Sequence, residues 1–315
     1  MIPACALSHF CSQCFMVPFP LLTTDRYEHP FDRKALDSLN NTPGISRLFK
    51  SINEYGLDRL FRFRCLANSL KVSADNFPPV HTAFLQACEA LEIDPIPECY
   101  LSHGEGYIRS FTVGVNQPIV ILNMDGFLQL NPAELVFILG HELGHIKSQH
   151  LVYQQAAIIL PVVGRFISSS TLGLGGLATN GLELALYQWV MMAKLTCDRA
   201  GLLACQDLDV ALSTLVKLAG VPTAVLESNT AAIVNNFKTQ ARSFGEYNLD
   251  SLDKITKVFS FLENMKPWAI LRASELLKWI DSGDYQALRS GSPQVVPTPE
   301  AHQGLPEDWD FLQNW

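Results

Sequence analysis

Basic runs are missing from this 315-residue chain: 23 Lys and Arg are outnumbered by 31 Asp and Glu, for a net charge of -8 and a pI near 5.5. With no cationic stripe to track a phosphate backbone, a nucleic-acid partner is excluded, and peptides or proteins are the expected partners. Dense, regular cysteine spacing is missing too. The eight cysteines stand at 5, 11, 14, 65, 88, 99, 197 and 205, which argues against a disulfide framework and for a reducing compartment, cytoplasmic by default. Cys11-Ser12-Gln13-Cys14, with Cys5 and His9 nearby, has the shape of half a zinc site, but no second such pair follows. The first basic residue is Arg26, so the start of the chain lacks the charged n-region of a secretory signal. Residues 1–24 are therefore expected to be a disordered extension, 25–287 a single globular domain, and 288–315 a loose tail rich in Pro, Ser and Gly.

What is present begins near Tyr27. From there to about Ile93, apolar residues recur at helical spacing, as in Ile45, Leu48, Phe49 and Ile52, then Leu57, Leu60 and Phe61. Pro95 and Pro97 end that region. Three short runs follow, from Glu98 to Ser102, Tyr107 to Val113 and Ile119 to Leu122, and read as a small antiparallel sheet. Asn131-Pro132-Ala133-Glu134 then opens a helix, with Asn131 as N-cap, Pro132 at the first helical position and Glu134 closing a capping box. Its expected end is about Gln155. The apolar run from Ala156 to Ala178 is long enough to touch a bilayer, but it holds Pro161, Arg165 and four glycines. A buried hairpin is favoured there over membrane contact. A second long helix is predicted from the capping-box spacing Asn180 to Glu183 through Cys205, and amphipathic helices from Val210 to Leu218, Ser251 to Leu262 and Ala269 to Ile280. The fold class is α+β, mostly helical.

Inside the Asn131 helix stands His141-Glu142-Leu143-Gly144-His145. Residues four apart share a helix face, so the two imidazoles can hold one zinc ion, while Glu142 can act as general base toward water on the metal's open position. This is the constellation of a zincin metallopeptidase. A metzincin would place a third histidine at position 151, which is Leu151, and His150 falls well off the shared face of a continuing helix. Between His145 and Ala200 the only acids are Glu183 and Asp198. Glu183 has a capping explanation, which leaves Asp198 as a substitute ligand or as a support for one.

With Leu139-Gly140-His141-Glu142-Leu143-Gly144-His145-Ile146-Lys147 and Cys197-Asp198-Arg199-Ala200-Gly201-Leu202-Leu203 in view, the chain resembles peptidase family M48, the HtpX-type and CAAX-prenyl-protease-type metallopeptidases, especially their soluble cyanobacterial and plastid-like branch. The resemblance implies a zincin-like domain, a zinc cofactor, a peptide or protein substrate, and a Glu-x-x-x-Asp pair in the second helix whose glutamate is the third zinc ligand. Setting that aspartate on Asp198 puts Lys194 at the glutamate's place. An ammonium about 4 Å from a divalent ion costs roughly 8 kcal/mol at an effective dielectric near 20, before relaxation. Two more departures are basic: Arg109-Ser110-Phe111 where the substrate-edge motif commonly begins with Asn, and Lys266-Pro267 in place of His-Pro. The expected function is a zinc metalloendopeptidase with His141 and His145 as ligands, Glu142 as base, and Asp198 or water completing the set. The alternatives are a catalytically impaired pseudo-peptidase, in which Lys194 pairs with Glu142 or Asp198, and a scaffold peripheral to a membrane through 156–178.

Overall fold

The structure, a computed structural model, describes residues 19–41, 57–158, 175–245 and 268–290, with Ile45 and Phe49 between the first two stretches. The Cys11/Cys14 motif, most of the apolar run 156–178, the helix expected at 251–262 and Lys266-Pro267 lie outside the described residues.

Helix α1 (Pro30–Asn40) and α2 (Leu57–Leu66) precede strand β1 (Ser69–Lys71), and α3 (Pro78–Ala90) follows it. Strands β2 (Glu98–Ser102), β3 (Ser110–Val113) and β4 (Ile119–Asn123) complete the sheet, in the order β1-β2-β4-β3. The sheet is mixed, not antiparallel as expected: β2 and β4 pair in parallel, while β1/β2 and β3/β4 are antiparallel. The reason is that β3 turns back along the outside of β4, leaving β2 to meet β4 after a crossover. β4 is buried along its whole length, as a central strand should be, and β3 is left as an edge.

Next come α4 (Met124–Gln129) and α5 (Pro132–Lys147), which carries the two histidines. The capping box at its start forms as the sequence dictates, with Asn131 Oδ1 accepting from the Glu134 backbone N–H and the Glu134 carboxylate accepting from that of Asn131. The same carboxylate is ion-paired with Lys217 at 2.7 Å, anchoring α5 to the helix over Leu208–Leu218. The far end departs from expectation. α5 stops at Lys147, and helix resumes only over 151–158. Gln149 takes φ +57°, the His150 N–H returns to the His145 carbonyl, and the Gln149 N–H to that of Ile146. This is a Schellman ending with glutamine where glycine is usual, so the sequence carried no stop signal.

Helix α6 (Gly175–Cys205) begins upstream of Asn180, so the start expected at Asn180–Glu183 lies inside it. Then follow α7 (Leu208–Leu218), α8 (Thr223–Ser228), α9 (Thr230–Gly245), α10 (Ala269–Asp281) and α11 (Asp284–Arg289). α5 and α6 meet along a seam of small residues: a Cβ on Gly140 would come within 2.5 Å of Ala204 Cβ, and one on Gly144 within 2.8 Å of Ala200 Cβ. Only glycine at those two places lets the helix axes approach this closely. Phe19 and Leu22 are buried in the main core, so the packed body reaches back before residue 25. No described helix is long and apolar enough to cross a membrane.

Candidate metal centre

The seam between α5 and α6 decides what lies behind each histidine. His141 and His145, both buried, stand with ring centroids 5.2 Å apart and planes at 80°. Asp198, reaching across from α6, accepts at Oδ1 from His141 Nδ1 at 2.9 Å. Arg272 of α10 then grips the same carboxylate twice, Nε to Oδ2 at 2.7 Å and Nη2 to Oδ1 at 2.5 Å. Burial alone would raise the Asp198 pKa, but the Arg272 guanidinium and the His141 hydrogen bond hold it down to about 2. Asp198 is therefore ionised, His141 carries its proton on Nδ1, and Nε2 is the nitrogen left to face a metal.

His145 is backed by different groups. Its Nδ1 lies 3.2 Å from His150 Nδ1 and 2.9 Å from the carboxamide of Gln154. Burial, with the nearby charges of the other histidines, Lys194 and Arg272 adding to it, pushes its pKa well below the ordinary range, so the ring stays neutral. A neutral ring is what a metal ligand must be.

Between the two, Glu142 turns toward the sheet. Ser110 Oγ donates to its Oε1 at 2.6 Å and Thr112 Oγ1 to its Oε2 at 2.9 Å, so alternate residues of edge strand β3 orient both carboxylate oxygens. Of the three residues marked at the substrate edge, Ser110 is thus brought to the centre. Arg109 is exposed, bound to Glu105 at 2.9 Å and stacked over the Phe111 ring at 5.2 Å, with no described contact to the α5 histidines.

Lys194 is half-buried on α6, one turn before Asp198. Among the described residues its ammonium forms no ion pair with Glu142 or Asp198; the contact it makes is to Met191 Sδ at 3.9 Å. Burial and the Arg272 guanidinium push its pKa down to about 8, against the pull of Asp198 and Glu142. His145, His150 and Cys197 also form a buried group with ligand atoms within 4.8 Å of one another. Sequence reasoning missed Thr112 and Arg272 and set His150 aside. Thr112 could have been found from the period-2 partner of Ser110, and His150 only by foreseeing the break after Lys147.

The pattern of peptidase family M48 matches residues 75–280. The chain is 29% identical over 280 residues, 87% of its own length and 79% of the relative's, to plastoglobule-localized metallopeptidase 48, chloroplastic, of Arabidopsis thaliana. No solved structure matches. Because the matched segment takes in three of the sheet's four strands, α5 with both histidines, Asp198 and Arg272, the chain belongs to peptidase family M48, metallopeptidases whose substrates are peptides or proteins.

Proposed function

We propose that the protein is a zinc-dependent metalloendopeptidase in which His141 and His145 hold the ion and Glu142 is the general base. The observation that carries this reading is that both Nδ1 atoms are engaged by buried partners, so that Nε2 is the nitrogen each imidazole can offer to a metal. The two imidazoles are neutral nitrogen donors of the kind zinc takes and supply two of the three protein ligands usual in a catalytic site, the third place being the one that falls at Lys194. Both Asp198 oxygens are held by Arg272, so Asp198 orients His141 and does not join the ligands. A zinc ion bound there supplies Lewis-acid polarisation and a water acidic enough to react near neutral pH.

The chain's own groups do the rest. The Ser110 and Thr112 hydroxyls align the Glu142 carboxylate, which takes a proton from the attacking water and passes it to the leaving amine. Among the described residues no strand pairs with the outer side of edge strand β3, and an extended peptide adds there as a further strand, bringing its carbonyl alongside Glu142. Phe111, packed under Arg109, lies on the opposite face of that strand from Ser110 and Thr112. The domain is taken as 25–287, extended back to Phe19 by its packing. The five described cysteines are free thiols, in keeping with a reducing compartment, and the cytoplasmic assignment, with peripheral membrane contact through 156–178 as its variant, is retained as part of this reading.

A second reading has one observation in its favour. Lys194 places an unpaired cation beside the histidines, which weakens metal binding and suits a peptide-binding module with impaired catalysis. Zinc per polypeptide and casein cleavage by the full chain test both. One zinc, with cleavage lost in Glu142→Gln while zinc is retained, supports the enzyme; a native protein free of zinc overturns it. Under the impaired-site reading, Lys194→Glu raises zinc content and cleavage together, and no gain counts against the lost-ligand account.

A further inference from the structure

We infer that Asp32 and His150 are positioning residues that fix the tautomer of His145, so that α1, which lies outside the segment matched to the family, completes the metal site. The inference rests on the metallopeptidase reading for its purpose but not for its geometry.

The chain of contacts runs through fully buried atoms. His150 Nε2 lies 3.2 Å from Asp32 Oδ2, and His150 Nδ1 lies 3.2 Å from His145 Nδ1. Asp32 is 0% exposed, His150 1% and His145 3%. A carboxylate only accepts, so the proton of His150 sits on Nε2 and its Nδ1 is a bare acceptor. The proton between the two rings then belongs to His145 Nδ1, and His145 Nε2 keeps its lone pair for a metal. Gln154 is the competitor. Its Nε2 is placed 2.9 Å from the same His145 nitrogen, and if that N–H donated there, the His145 proton would move to Nε2 and block ligation. Asp32 selects between the two states; in the selected one Gln154 presents its oxygen, the two ends of a carboxamide being interchangeable.

Three further features hold the relay in place. The Schellman ending of α5 brings His150 back under His145, which a continuing helix could not do. The Trp189 ring stands edge-on to His150 at 5.3 Å and 87°, fixing its plane. Thr196 Oγ1 donates to Asp32 Oδ2 at 2.5 Å while accepting the His29 backbone N–H at 3.0 Å, which orients the carboxylate. Among the described residues, Asp32 Oδ1 has no hydrogen-bond partner. A buried carboxylate with one oxygen unpaired is costly unless positive charge reaches it, and a cation on His145 polarises both imidazoles toward Asp32.

The test is the long-range ¹⁵N–¹H spectrum of the imidazoles in metal-free full-length protein, alongside zinc affinity by competition with a chromophoric chelator. Wild type should show His145 protonated on Nδ1 and His150 on Nε2. In Asp32→Asn the amide donates to His150, both rings reverse, and zinc affinity falls about 10- to 100-fold, with the unfolding temperature of the metal-free protein recorded as a control. Thr196→Val, which keeps the carboxylate, should retain the wild-type tautomers. Wild-type His145 protonated on Nε2 overturns the proposal without any variant, and so does an Asp32→Asn protein with unchanged tautomers and affinity. The cluster of His145, His150 and Cys197 supplies a rival: a thiolate-to-metal band in the cobalt-substituted protein that disappears in Cys197→Ser would place the ion there and overturn the relay. Correct wild-type tautomers in a chain that binds no zinc would instead remove the enzyme reading and leave the relay standing.

Discussion

His141 and His145 stand one turn apart on α5, yet the structure supports them by different means. Behind His141 is a carboxylate held at both oxygens by a buried guanidinium, a charge pair neutral as a unit and drawn from α6 and α10. Behind His145 is a second imidazole, then the Asp32 carboxylate, which has one oxygen unpaired and belongs to α1. The first backing needs only that α6 packs on α5 and α10 on α6. The second needs the chain to break after Lys147 and fold back. The difference teaches that one short motif can draw its two halves from separate parts of the fold, with the charge pair stabilising the site statically and the relay setting a proton's position.

The largest expected effect lies on what the two sides share. Glu142→Gln should lower cleavage by about 10²- to 10⁴-fold, the usual weight of a general base, while zinc content, set by the histidines, stays constant; loss of zinc as well would assign Glu142 a structural part. Next, Arg272→Ala strands Asp198 as a buried charge and should cost about 3–5 kcal/mol in urea unfolding. The pH dependence checks the cause. Asp198 titrates near 2 in the folded chain, below its ordinary value of 3.8, so its contribution is present above 3.8 and is lost as pH falls toward 2. Arg272→Ala should bring acid unfolding to higher pH.

Lys194→Met probes the cation between the two sides. The Lys194 pKa falls from 10.5 to about 8 on folding, so between those values the unfolded chain holds more protons and rising pH favours folding. The cost of burying the ammonium is complete below 8 and gone above 10.5. The variant should therefore be more stable than the native metal-free protein by about 1–3 kcal/mol at pH 7, with the gap closing as pH passes through that window; a constant gap would mean an apolar packing effect. The smallest effect belongs to the break. Gln149 at φ +57° carries strain that glycine would not, so Gln149→Gly should raise stability by about 0.5–1 kcal/mol in thermal melts without changing zinc affinity.

Much of this was legible in order along the chain. Asn131, Pro132 and Glu134 specified the start of α5, and the spacing of His141 and His145 put both on one face. The strands at 98–102 and 119–123 fell where β-rich runs between Pro and Asn placed them. The pairing direction was not legible, because a short run gives its alternation but not its neighbour. The same limit hid α9, whose Thr230–Gly245 sequence is amphipathic without a clear cap. Arg272 was invisible as a site residue since nothing in its local sequence separates it from a surface arginine.

By itself the sequence determined that His141, Glu142 and His145 stand on one helix with the two imidazoles a turn apart, since periodicity and capping act over a few residues and need no partner. Tertiary structure alone decided which nitrogen of each histidine is free, because that depends on Asp198, Arg272, His150 and Asp32 meeting the histidines from α6, α10, the turn after α5 and α1. A proton's place on an imidazole is set by the acceptor opposite it, and only packing supplies that acceptor.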